Sequence, residues 1–143
     1  MEKFDVVIRP AVKEDKNFIL ASWLRCYRSS SYFCRRIRKN VFFKYHHVIA
    51  DRILSHATVL IAADPTDANV IYGYLISEFY EPDQKHVVHF IYIKEAFREM
   101  GIAKQLFTAA GLEPNSVLIS HWTEPVDKLI LKYPDMIYIP YLI

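Results

Sequence analysis

The stretch His89-Phe90-Ile91-Tyr92-Ile93-Lys94-Glu95-Ala96-Phe97-Arg98-Glu99-Met100-Gly101-Ile102-Ala103 carries the most chemistry per residue in this chain. An apolar strand runs into a turn, and the turn opens directly into an amphipathic helix. The first turn of a helix presents unpaired N–H groups and a partial positive charge, so such a junction can hold a phosphate. Gly101 removes the side chain where a ligand would approach the backbone, and Ala103 keeps the next turn slim. Arg98 adds a fixed positive charge at the same place. The plainer reading of these residues is an ordinary strand-to-helix connection whose glycine relieves backbone strain.

A second concentration of chemistry is electrostatic. Lys16, Arg25, Arg28, Arg35, Arg36, Arg38, Lys39 and Lys44 follow one another with no acid between Asp15 and Asp51. The rest of the chain carries ten basic and sixteen acidic residues. Tyr27, Tyr32, Phe33, Phe42, Phe43 and Tyr45 interleave with the positive charges. Such a region attracts phosphates, nucleic acid or an acidic partner in a salt-dependent way, or serves as a solvated helical face.

These residues need elements to position them. Phe4–Arg9 is β-branched and stops at Pro10, which predicts a strand. Phe18, Ile19, Trp23, Cys26 and Tyr27 then recur at helical spacing until the serines at 29–31. A second helix is predicted over 37–55, with Val41, Tyr45, Val48 and Arg52 along one stripe and Phe42, Ile49 and Ile53 beside it. Strands follow at 58–63, 70–79 and 86–93, separated by Asp64-Pro65 and Glu81-Pro82 turns that suit antiparallel hairpins. Ala103, Leu106, Phe107 and Ala110 mark a helix that Gly111 ends. A strand at 117–120, a short helix at 126–133 and a last strand near 136–139 complete the order β-α-α-β-β-β-α-β-α-β. That order predicts an α/β (α+β) fold with a mixed, mostly antiparallel sheet and helices on both faces.

At 143 residues, 52% hydrophobic and 24% charged, the chain fits one domain, residues 1–143, and its composition excludes disorder. No apolar run approaches the roughly 20 residues that span a bilayer. The first five residues lack an apolar leader, so a cytoplasmic protein is expected. Cys26 and Cys34 lie eight apart without a ligand motif and read as two small, partly buried thiols. No Cys/His cluster has metal-ligand spacing, and the adjacent His46 and His47 cannot both face one site.

Arg98-Glu99-Met100-Gly101-Ile102-Ala103 resembles the R/Q-x-x-G-x-G/A signature of the GNAT acetyltransferase superfamily. It also stands where that family has it, after the fourth strand and at the start of the third helix. The resemblance spans nearly the whole chain. It implies binding of acetyl-CoA, with the N–H groups of Arg98, Glu99, Met100, Gly101, Ile102 and Ala103 cradling the pyrophosphate. Backbone groups of Ile91 and Ile93 would pair with the pantetheine arm between splayed fourth and fifth strands. The implied reaction is direct attack of a primary amine on the thioester, with His89 as the base and Tyr133 as the acid that protonates the leaving sulfur. His89 is placed by alternation on the strand face of Val87, Ile91 and Ile93, and Glu78 and His121 are its rivals.

The chain departs from the family twice. Ser120-His121-Trp122-Thr123 stands where the family has an asparagine, and only about ten residues follow Tyr133, so the fold is shortened at its C-terminus. The uncovered sheet edge there invites pairing, and a homodimer is expected. Because the first two helices border the acceptor site in this family, the basic stretch implies an acceptor with negative charge near its amine. The rival reading is a non-catalytic GNAT-fold module that uses Arg25–His47 to bind a protein or nucleic acid.

Overall fold

The computed structural model describes residues 4–143, so Met1–Lys3, the start of the stretch read as lacking an apolar leader, lie outside the described residues. The elements are β1 (Val7–Pro10), α1 (Lys16–Ser30), α2 (Lys39–Leu54), β2 (Thr58–Ala63), β3 (Ile71–Tyr80), β4 (Lys85–Ile93), α3 (Ile102–Ala109), β5 (Leu118–Ile119), α4 (Glu124–Lys132) and β6 (Ile137–Tyr138). The order is the expected one. Strands β1 to β6 lie side by side in chain order in one six-stranded sheet. Neighbours among the first four are antiparallel, while β5 runs parallel to β4 and β6 parallel to β5.

Two apolar clusters sandwich this sheet. On one face Trp23 and Ile19 of α1 and Phe42 and Ile53 of α2 pack on Ile61, Tyr74, Ile76 and Phe90. On the other, Ile102 and Leu106 of α3 and Val126 of α4 pack on Ala62, Leu75, Val88 and Ile119. The turn into α1 is held by Asp15, which accepts from both terminal nitrogens of Arg9 at 2.8 and 3.1 Å and from the Val12 N–H at 2.8 Å. Those bonds, led by the one to Arg9, keep the buried carboxyl below its ordinary range.

Of the two apolar stripes read along helix α2, the one through Phe42 and Ile53 faces the core. Phe42, Ala50 and Ile53 are buried, whereas Val41, Tyr45 and Val48 face outward, the last two 62% exposed. Both stripes are apolar, and the small Ala50 lets the Phe42–Ile53 side seat closely on the core. The first strand begins at Val7 rather than Phe4, and β5 and β6 pair over two residues each. Cys34 is buried and Cys26 half-buried, both as free thiols. Among the described residues no helix is long and apolar enough to cross a membrane.

Candidate active site

The site begins with an irregularity in β4. Ile76 pairs with Phe90, but the next residue of β3, Ser77, pairs with Val88, so His89 is the extra residue of a β-bulge. A bulge shifts the alternation of side chains by one position. Accordingly Val88 packs in the α3-side cluster with Ile91 and Ile93, while Phe90 packs against Trp23 on the other face. Simple alternation placed His89 with Ile91 and Ile93; the bulge turns it instead toward Glu78, Ser120 and the α1–α2 side.

There it joins a continuous chain of hydrogen bonds. His89 is 1% exposed. Its Nε2 lies 2.6 Å from Glu78 Oε1 and its Nδ1 2.7 Å from Ser120 Oγ. Ser120 Oγ lies 2.8 Å from His121 Nδ1, and His121 Nε2 lies 3.0 Å from His46 Nε2. At the opposite end, Glu78 Oε2 meets Nδ1 of the exposed His56 at 2.9 Å. Glu78 and His121, read from sequence as rivals of His89, are members of the same assembly. Burial lowers the pKa of His89 against the opposing pull of Glu78, and it pushes His46 down to about 4. His121 is held well below its usual value by burial first, then by His46 and His89. All three rings are therefore neutral at pH 7.

Beside this chain the sheet opens. Strands β4 and β5 pair only at Val87–Leu118 and Val88–Ile119, and β4 continues to Ile93 without a neighbour on that edge. The gap holds a cavity of about 40 Å³ lined by His89, Ile91, Phe107, His121, Val126 and Leu129. The Lys94 N–H donates to the Tyr72 carbonyl at 2.9 Å, so even-numbered residues at this end of β4 bond to β3. Ile91 and Ile93 consequently turn their backbone groups to the open edge. The Ile93 carbonyl already accepts from Arg98 Nε at 3.0 Å.

The turn after β4 ends in two left-handed residues, Glu99 at φ 65° and Gly101 at φ 80°. Gly101 is the N-cap of α3, which has no side-chain cap, and no atom lies within 4 Å of where its Cβ would stand. Among the described residues, none of the N–H groups from Glu99 to Lys104 meets an acceptor. A run of unpaired donors at a helix start beside an open strand edge fits an anionic group with an amide-bearing tail, which is what coenzyme A is.

Tyr133 closes α4 one turn after the cleft residue Leu129 and packs, half-buried, against the α3-side cluster. The basic stretch is partly committed to the fold. Arg28 donates to the Ile37 carbonyl at 2.9 Å, Arg36 lies over the Tyr32 ring, and Arg35 pairs with Glu124 at 2.8 Å. Arg25, Arg38, Lys39 and Lys44 are exposed. The sequence reading missed Ser120 and His46 as members of the hydrogen-bonded chain. A signal for His46 existed, since it falls four residues after Phe42 on the stripe that is in fact buried.

No known family pattern matches the chain, and no curated protein is significantly similar to it in sequence. Solved structures are similar in fold. A Pyrococcus furiosus protein assigned as an acetyl transferase superposes with a TM-score of 0.65 at 14% identity, covering 90% of this chain and 91% of that one. A Staphylococcus aureus protein assigned to the GNAT acetyltransferases gives 0.56 at 17% identity, covering 72% and 86%. AAC(6')-Iy in complex with the bisubstrate analog CoA-S-monomethyl-acetylneamine gives 0.50 at 16% identity, covering 91% and 90%. The chain has the GNAT fold.

Proposed function

We propose that the protein is an acetyl-CoA-dependent N-acetyltransferase acting on a primary amine. The observation that carries this reading is the uncapped start of α3, with its unpaired N–H groups, adjoining the open edge of β4. Arg98, Glu99, Met100, Gly101, Ile102 and Ala103 would hold the pyrophosphate, and the backbone groups of Ile91 and Ile93 the pantetheine amides. The similarity in fold to AAC(6')-Iy, solved with a coenzyme A bisubstrate analog, supports that cofactor. Bound acetyl-CoA supplies a thioester carbonyl open to attack and a thiol leaving group.

The protein's own part is orientation and proton movement. The attacking amine must lose a proton as its nitrogen bonds to the carbonyl carbon and the C–S bond breaks. His89, lining the cleft with Glu78 behind it, draws that proton away, and Tyr133 on α4 gives one to the departing sulfur. The exposed cations of the α1–α2 region favour an acceptor with negative charge near its amine. A second copy of the chain pairing along β6 would complete the short C-terminal edge.

Calorimetric titration with acetyl-CoA, with a Gly101→Glu control, tests the cofactor site. Micromolar binding lost in the control supports the reading, and a folded protein that does not bind overturns it. An acceptor screen follows, in which anionic amines should turn over better than polyamines.

A further inference from the structure

The hydrogen-bonded chain leaves no freedom in who donates. With Glu78 as the carboxylate, Oε1 accepts, so His89 Nε2 carries the proton and Nδ1 is a lone pair. Ser120 must then donate to His89 Nδ1, and its oxygen accepts from His121 Nδ1–H. His121 Nε2 is therefore a lone pair and takes the proton of His46 Nε2. Every hydrogen bond points the same way, toward Glu78. The two histidines that line the cleft have both ring nitrogens committed, and within the three rings only Nδ1 of the half-buried His46 has no partner among the described residues.

We infer that these side chains form a proton relay whose intake is His46 Nδ1 and whose outlet is Glu78, so that His89 acts as a link rather than as the terminal base. This rests on the acetyltransferase reading. A proton bonding to His46 Nδ1 breaks His46 Nε2–H in favour of His121 Nε2. His121 Nδ1–H passes to Ser120 Oγ, the Ser120 O–H proton to His89 Nδ1, and His89 Nε2–H to Glu78 Oε1. One proton enters, the Glu78 carboxylate becomes a carboxylic acid, and no ring is left charged. Every hydrogen bond along the chain is kept, with its direction reversed, which is why the relay can stand in an interior that disfavours charged imidazoles. Glu78, 28% exposed at its side chain, then gives the proton to solvent, while the Nδ1–H of the exposed His56 holds its other oxygen. Returning a proton along the same bonds restores the starting tautomers. Intake on α2 places the acceptor amine on the α1–α2 side of the cleft, while acetyl-CoA lies along β4.

Nitrogen NMR of protein labelled with ¹⁵N-histidine tests the relay without any substrate. At pH 7 the expected pattern is Nε2–H on His46 and His89 and Nδ1–H on His121; Nε2–H on His121, or a cationic His46, overturns the proposal. The functional arm is Ser120→Ala, which should lower turnover about 10²-fold, in the usual span for positioned proton transfer. It should leave acetyl-CoA affinity unchanged, and Ser120→Thr should restore most of the rate. Full turnover in Ser120→Ala overturns the relay. If the wild-type protein fails to bind acetyl-CoA, the acetyltransferase reading falls, and the tautomer pattern still decides the relay by itself.

Discussion

Arg98 donates from Nε to the carbonyl oxygen of Ile93, 3.0 Å away. The bond spans the turn between β4 and α3 and occupies an open-edge carbonyl of the strand. It fixes the run of unpaired N–H groups relative to the strand edge, while the guanidinium keeps its charge beside them. Lysine offers a point charge on a flexible stem and no comparable side donor. Arg98→Lys should therefore weaken acetyl-CoA binding about tenfold, equivalent to about 1.4 kcal/mol, although the charge is kept. Calorimetry on both proteins reads this directly. Equal affinities would mean that only the charge matters and that the bond to Ile93 is incidental.

Gly73 has a different constraint. A Cβ there would stand 2.4 Å from the Tyr92 carbonyl oxygen and 2.7 Å from Ile93 Cδ1. The carbonyl belongs to the backbone, so β3 and β4 would have to separate to admit a methyl group. Gly73→Ala should lower stability by about 1–3 kcal/mol, the usual cost of overpacking. The strain falls opposite Ile93, so acetyl-CoA binding should weaken along with it. Urea unfolding gives the stability, and an unchanged midpoint would count against so tight a strand contact.

Much of this architecture is legible in the sequence. The Asp64-Pro65 and Glu81-Pro82 turns set β2, β3 and β4 as hairpins, and the apolar spacing after Gly101 sets α3. The orientation of α2 is not legible, because Val41-Tyr45-Val48 and Phe42-Ile49-Ile53 are both apolar and only packing against Tyr27 and Trp23 chooses between them. The face of His89 is hidden for another reason. A bulge is a property of two paired strands, and alternation within one strand cannot reveal it. The hydrogen-bonded chain is the least legible part, since it joins residues 31 and 75 positions apart that meet only after the sheet forms.

The three histidines of the hydrogen-bonded chain make acid sensitivity a property of the fold. Burial lowers His46 to about 4, and it lowers His89 and His121 as well. In the unfolded chain each titrates near 6.5, as a free imidazole does (about 6.5). Between that value and the lowered folded values the unfolded state binds more protons, so stability is complete above about pH 6.5 and is lost as pH falls. Each histidine kept neutral contributes a slope of about 1.4 kcal/mol per pH unit. The melting temperature should drop steadily from pH 7 to pH 5, and His121→Asn should show a shallower drop from a lower starting point. A melting temperature independent of pH over this range would show that the rings are protonated in the folded protein.

Gly101 allows strain and space to be separated. Its φ of 80° is one that side-chain-bearing residues adopt at a cost of about 1–2 kcal/mol. The space beside it is open, with no atom within 4 Å of a built Cβ. Gly101→Ala and Gly101→Glu should therefore lose similar stability, since both meet the same φ and neither meets a neighbour. Gly101→Asn should lose less, because asparagine tolerates this backbone region. Binding of acetyl-CoA should follow a different order. The alanine methyl would intrude slightly on the run of N–H groups, whereas the glutamate would fill it and repel a pyrophosphate. Thermal melts and calorimetry on the three variants give both orders. Equal loss of binding by alanine and glutamate would assign the effect to backbone geometry, and retained binding in Gly101→Glu would move the pyrophosphate away from this turn.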